Sequence, residues 1–388
     1  MTVDVKQMKK KHKLLGIAFS ALSLAILIYV AIALISGRGL NLTWLTNLFS
    51  ARTPVVIADE YHFDVGRDRV FARLDGTLVA AGSLGIQVLD LSGGELLRHP
   101  FRMSHSAIAA TGGRAIAFDI GGSAAHVFSS NQIIASKEVS GVIVSASINQ
   151  NGWFCLSTQD GMGYRGITTV YNNTGNAVYE VYKGTGYILS AELSPDNRSL
   201  AVLNLTSSGS RITFYHGLNK EEADGVFDLR DGLIIDIRYL SGGNVLAIST
   251  NSLIIVNRDG VGEEIFDFSD VHLGGFDFDD GFILLHLLDY AIGNRGRIVI
   301  LRDNGTLVGE VPTDREIVSM SFDGGSLAVL HSDSLVFFSI EHDEFSVSAE
   351  YASASGANSV LTIGDGAVVA VGDHSAVVFR EERGDAGN

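Results

Sequence analysis

Gly324-Gly325-Ser326-Leu327-Ala328-Val329-Leu330-His331-Ser332-Asp333-Ser334-Leu335-Val336-Phe337-Phe338 reads as a β-hairpin. Small residues launch an apolar run, a polar tight turn reverses it, and an aromatic-rich run returns. The launching run Leu327-Ala328-Val329-Leu330 is apolar at consecutive positions. A strand in a one-sided antiparallel sheet alternates, so this one is expected to be buried on both faces.

The same phrase occurs eight times. Launching runs recur at Thr77–Ala81, Ala115–Phe118, Trp153–Leu156, Leu200–Leu203, Val245–Ile248, Phe282–Leu285, Leu327–Leu330 and Val368–Val371. Returning runs follow each, from Ile86–Leu89 to Ala376–Phe379. A glycine usually precedes the launch, at Gly76, Gly113, Gly152, Gly243, Gly281, Gly325 and Gly366, with Asn197 in its place once. Gly76 to Gly366 is 366 − 76 = 290 residues over seven steps, about 41 each, the period of four-stranded propeller blades. Ile188–Leu193 is expected as an innermost strand; Asn176–Tyr182 and Leu307–Val311 are expected as outermost ones. The fold class is therefore all-β, an eight-bladed β-propeller. The eighth hairpin ends at Phe379 and lacks an outer strand. Pro54–Ala58 has no other partner, so it is expected to complete that blade and hide an open edge.

Ahead of the repeats, Leu14–Ile35 is a run of 22 uncharged residues. As a helix it would span ~33 Å, about the hydrocarbon thickness of a bilayer. Lys6, Lys9, Lys10, Lys11 and Lys13 against Asp4 make the preceding tail +4, which places it on the cytoplasmic side and all that follows outside. A cleavable signal peptide ending near Ala31-Ile32-Ala33 is the competing reading, but the apolar run is longer than a signal core. The expected organisation is a basic cytoplasmic tail (1–13), a transmembrane signal anchor (14–35) meeting the lipid bilayer, a juxtamembrane tether (36–53), the propeller (54–380) closed by 54–58, and a charged tail (381–388). Gly16 and Ser20, and Ala21 and Ala25, have the spacing of helix-dimer faces, which is also common in single spans.

The whole chain is formally −16, so residues beyond the tail carry −16 − 4 = −20. Phosphate binding rests on Lys and Arg, and such an acidic body excludes nucleic acid as the expected partner. A single cysteine, Cys155, excludes an intrachain disulfide and any Cys-rich zinc site, and its place in an apolar strand fits a buried thiol.

Leu193-Ser194-Pro195-Asp196-Asn197-Arg198-Ser199-Leu200-Ala201-Val202 looks like the strand–turn–strand phrase of WD-repeat-like propellers. The Trp-Asp and Gly-His marks of true WD repeats are absent. So are the tryptophan-docking repeats of quinoprotein dehydrogenases, the only tryptophans being Trp44 and Trp153. In layout the chain resembles an uncharacterised family of single-pass, membrane-anchored β-propellers of Gram-positive bacteria. That resemblance implies a fold and a place, since the family has no assigned activity.

Motifs with catalytic potential are few, and no catalytic, cofactor or metal residue is assigned. Gly161-Met162-Gly163-Tyr164-Arg165-Gly166 matches a dinucleotide fingerprint, but lies between two strands rather than opening a helix. Asp277, Asp279 and Asp280, near Asp267 and Asp270, lack the spacing of a calcium loop. His286, His331 and His374 fall in comparable parts of blades six to eight and suggest one shared surface, without a zinc motif. Sequons at Asn172, Asn197, Asn204 and Asn304 matter only in a eukaryotic secretory route. The reading that follows is a non-enzymatic scaffold or sensor for a protein or cell-envelope polymer, bound at a propeller face. Thr158–Gly166, Gly217–Gly225 and Leu288–Arg297 are the loops expected to carry it. The alternative is an extracytoplasmic enzyme, acting on glycans or using a quinone-type cofactor. It requires ionisable residues converging on the channel from several inner strands.

Overall fold

A computed structural model describes residues 55–159, 163–220, 222–279, 281–323, 326–341, 344–351, 356–364 and 366–381. The basic tail, the 14–35 apolar run and the 36–53 tether lie outside them. Among the described residues no helix is long and apolar enough to cross a membrane.

Eight four-stranded antiparallel sheets form the structure. Blade 1 runs outward through Val70–Leu74, Thr77–Gly82, Gly85–Leu89 and Glu95–Pro100, and blades 2 to 7 repeat this order. Their inner strands are Ser106–Thr111, Val142–Ile148, Tyr187–Leu193, Ile234–Tyr239, His272–Asp279 and Ile317–Phe322. Blade 8 takes Ala357–Thr362, Ala367–Gly372 and Ser375–Glu381 from one end of the chain, and Val55–His62 from the other. The closing strand pairs Val55 with Glu381 through His62 with Ser375, four residues beyond Ala58. Tyr61, in that extension, is buried in the core between blades 8 and 1.

The second strands explain why the ring must close. Thr77–Gly82, Val245–Ser249 and Ala367–Gly372 are buried at every position. Each packs one face against the preceding blade and the other against the next, so apolar clusters alternate with sheets around the circle. The launch turns also follow a single rule. Gly76, Gly152, Gly243, Gly281 and Gly366 have φ between +70° and +83°, and Asn197 takes φ +61° in the same place. That left-handed conformation favours glycine and tolerates asparagine.

The ring has two distinct faces. Turns joining first to second and third to fourth strands lie on one side, here the turn face. Connections between second and third strands, and between blades, lie on the other, the loop face. The chain enters the ring at Val55 on the turn face.

Candidate functional site

Inner strands line the central channel. In blades 3 to 8 each carries a bulge, at Ile143/Ser145, Ile188/Ser190, Ile234/Asp236, Leu273/Gly275, Ile317/Ser319 and Ala357/Ser359. A bulge re-aims the residues that follow it. Two positions beyond lie Ser147, Glu192, Arg238, Asp277 and Ser321 in blades 3 to 7. This layer bridges blades: Ser147 Oγ donates to Ala191 O at 2.7 Å, and Ser321 Oγ lies 3.0 Å from Thr362 Oγ1.

Charge converges in that layer. Arg238 Nε lies 3.3 Å from Asp236 Oδ2, and its Nη1 lies 4.0 Å from Glu192 Oε1. The guanidinium carbon sits 5.7 Å from the centre of the Phe278 ring. Arg238 is half-exposed to the channel, whereas the Glu192 side chain is 15% exposed. Burial pushes the Glu192 carboxyl up to about 8, a shift that Asp236 reinforces and Arg238 opposes. The Tyr239 hydroxyl is buried with no partner among the described residues, and burial raises it above the usual phenol range, with help from Asp196 and Glu192. On the far wall Arg73 Nη1 donates to Phe322 O at 3.0 Å. These groups line a cavity of about 820 Å³ opening on the turn face, with Asp75, Asp303 and Asp323 also in its wall. Ionisable groups from blades 4, 5 and 6 therefore do converge on the channel, as the enzymatic alternative requires.

The loop face differs. Leu84, Ile120, Val142, Tyr164, Tyr187, Leu233, Tyr290 and Val318 are exposed there, drawn from blades 1 to 7. Ile292, in the loop between Phe282–Leu288 and Gly296–Arg302, is 93% exposed. The Tyr164 and Tyr182 rings pack tilted at 51°, with centroids 4.9 Å apart. Arg165 Nη1 donates to the Tyr187 hydroxyl at 3.1 Å, with its guanidinium 5.4 Å from that ring. The other exposed large apolar residues lie mainly on outermost strands, such as Val178 and Leu307.

The sequence-predicted features scatter. Two of the three long loops, around Tyr164 and around Tyr290, share the loop face; the Gly217–Gly225 connection is a third-to-fourth-strand turn and lies on the opposite face. His286 and His331 are buried in neighbouring blades, each on a second strand. Among the described residues His286 Nε2 has no partner, and burial, then His331, lowers its proton affinity. His374 does not join them; it lies in a tight turn of blade 8 with its Nε2 3.3 Å from Arg69 Nη2. The three do not form one surface, because second strands turn inward to the core while the blade 8 turn is solvent-facing. Cys155 is buried, shares Ala191 O with Ser147, and burial pushes its thiol up to about 12. Of the fingerprint-like loop, Gly161 and Met162 fall outside the described residues. Asp277 joins the Arg238 cluster, and among the described residues no three His, Cys, Asp or Glu side chains are grouped to hold a metal.

Glu192, Asp236, Arg238 and Tyr239 went unremarked in the sequence. The available signal was a charged residue in register with Ser147 and Ser321, inside strands otherwise apolar or small.

Eight antiparallel four-stranded blades around a channel with a polar mouth define a β-propeller. The chain belongs to a family of unknown function (DUF5711), whose model matches residues 53–365. Among solved structures it is similar to BamB from Moraxella catarrhalis, at 14% identity and TM-score 0.53, over 86% of this chain and 100% of that one. It is also similar to the C-terminal WD40 domain of Sif2, at 13% identity and TM-score 0.52, over 85% and 97%. At these identities the likeness shows the fold alone. No curated protein matches the chain.

Proposed function

We propose that this protein is a membrane-tethered, extracytoplasmic propeller that holds a protein partner on its loop face. The exposed apolar belt on that face carries the reading. Contiguous apolar surface, with tyrosine and arginine at its centre, is the composition of protein interfaces. The Tyr164, Tyr182, Tyr187 and Arg165 cluster has that composition, with its rings and guanidinium already held by one another. The basic tail and the uncharged 14–35 run support the tether and its orientation.

Site-resolved photo-crosslinking in intact cells tests this. A crosslinker at position 187 or 290 is expected to trap one defined protein, and the same group at position 243 on the turn face is not. Equal trapping from both faces would overturn the assignment. A C-terminal tag is expected to be protease-accessible from outside the cell; a protected tag would remove the tethering.

A further inference from the structure

We propose that the channel mouth on the turn face is a second binding site, for a neutral polyhydroxylated ligand such as the end of a glycan, received by Glu192, Tyr239 and Arg238. The site is separate from the loop face, and its ligand is of a different class from the partner proposed there.

Three observations carry it. The cavity, about 820 Å³, lies within the range of small-molecule sites, roughly 300–1,000 Å³. Its wall holds polar groups whose bonding is incomplete. The described residues offer the Glu192 carboxyl only Arg238 Nη1 at 4.0 Å, beyond hydrogen-bond range. Among the described residues the Tyr239 hydroxyl has no partner. A buried hydroxyl left unpaired is costly, and it lies on the inner strand next to the one that carries the partly exposed Glu192 carboxyl. Finally, Arg238 lies over the Phe278 ring and is half-exposed, leaving guanidinium donors aimed into the channel beside an aromatic surface.

The ligand class follows from what these groups accept. A carboxyl that keeps its proton both donates and accepts, as does a phenol, and hydroxyl groups reciprocate both roles. An anion meets Asp75, Asp303 and Asp323 in the wall, and Asp236 against Arg238. A cation is the remaining competitor, and titration separates the two. Glu192 faces Cys155 of blade 3, and Arg238, Asp236 and Tyr239 of blade 5, while Asp277 of blade 6 acts on it through Arg238. A hydroxylated ligand needs the protonated carboxyl, so its affinity falls as pH rises through about 8. A cation gains affinity over the same window.

The test is calorimetric titration of the full-length chain, in a detergent without a sugar headgroup. The probes are D-glucose, N-acetyl-D-glucosamine, the β-1,4-linked tetramer of the latter, and spermidine. Saturable saccharide binding that weakens above pH 8 is expected, and tighter binding of the tetramer than the monomer marks a polymer end as the source. Glu192→Gln should weaken binding by about threefold or more and abolish its pH dependence. Tyr239→Phe should weaken it by about tenfold, the loss of one hydrogen bond. A cooperative melting transition and a wild-type circular-dichroism spectrum certify both variants as folded. The proposal is overturned by no saccharide binding up to about 10 mM, by binding unaffected in Tyr239→Phe, or by spermidine binding that tightens with pH. Loop-face crosslinking in Glu192→Gln is expected to be unchanged, so failure here leaves the partner reading standing.

Discussion

The loop face and the turn face are made by the same eight blades and differ in what they expose. On the loop face, the ends of inner strands and the inter-strand loops expose Val142, Tyr187, Leu233 and Ile292. On the turn face the same inner strands, one bulge further along, direct Glu192 and Arg238 into a polar funnel. Within a strand the side-chain period is two, so a bulge between the two ends changes which side chains face the axis. One strand thereby contributes to two surfaces: exposed side chains at one end and the wall of a concave channel mouth at the other.

The difference can be broken outright at the closure. Deleting residues 55–62 strips the outer strand from Ser375–Glu381 and removes Tyr61 from the core. Both faces should fail together, with aggregation or a melting temperature lower by on the order of 10 °C or more. A deletion that melts like wild type would show that closure is dispensable.

A selective break comes next. Tyr164→Ala with Tyr187→Ala should reduce loop-face crosslinking and partner affinity by roughly 30-fold or more, as for interface anchors. Melting temperature and saccharide titration on the turn face should hold. Loss of turn-face binding in this variant would mean that the faces are coupled.

Gly209 tests the rigidity of the loop-face edge. It has φ +125°, and a Cβ there would lie 2.1 Å from Leu229 O. Gly209→Ala should cost about 2 kcal/mol or more in chemical denaturation, without altering the ligand class at either face. A neutral result would show that this edge yields.

The most gradual effect is a pair of opposite pH slopes, each spread over several pH units. Glu192 titrates near 4.5 when unfolded and about 8 when folded, so the native state holds the extra proton and stability falls between those values. Lys183, near the loop face, bonds the Tyr215 hydroxyl at 2.7 Å, and burial lowers it from 10.5 to about 8. There the unfolded state holds the extra proton, so stability rises from about 8 to 10.5. Melting temperature should therefore pass through a shallow minimum near pH 8. Glu192→Gln should remove the acid-side slope and Lys183→Met the alkaline one. A profile unchanged in both variants would refute the assignment.

Much of the fold was legible because each blade writes its own signature. Leu327–Leu330 and Val368–Val371 announce burial on both faces by being apolar throughout, and Asn197 announces a left-handed turn by replacing glycine. Ile188–Leu193 was recognisable as an inner strand by its place, just ahead of the launching run Leu200–Leu203. The site was not legible in this way. Glu192 and Arg238 are 46 residues apart, 238 − 192, and nothing local marks them as neighbours. Likewise His286, His331 and His374 look equivalent in the chain, but only two share a buried layer.

Local composition and period alone determined the eight blades, their four-strand plan and the need for a closing strand, because apolar strands without polar alternation cannot face water. Tertiary structure alone decided which side chains meet: the channel cluster of blades 4 to 6, the apolar loop face, and the separation of the Gly217–Gly225 turn from the other two loops. The reason is that ring closure brings successive repeats side by side around one axis, and bulges of a single residue set which side chains point at it.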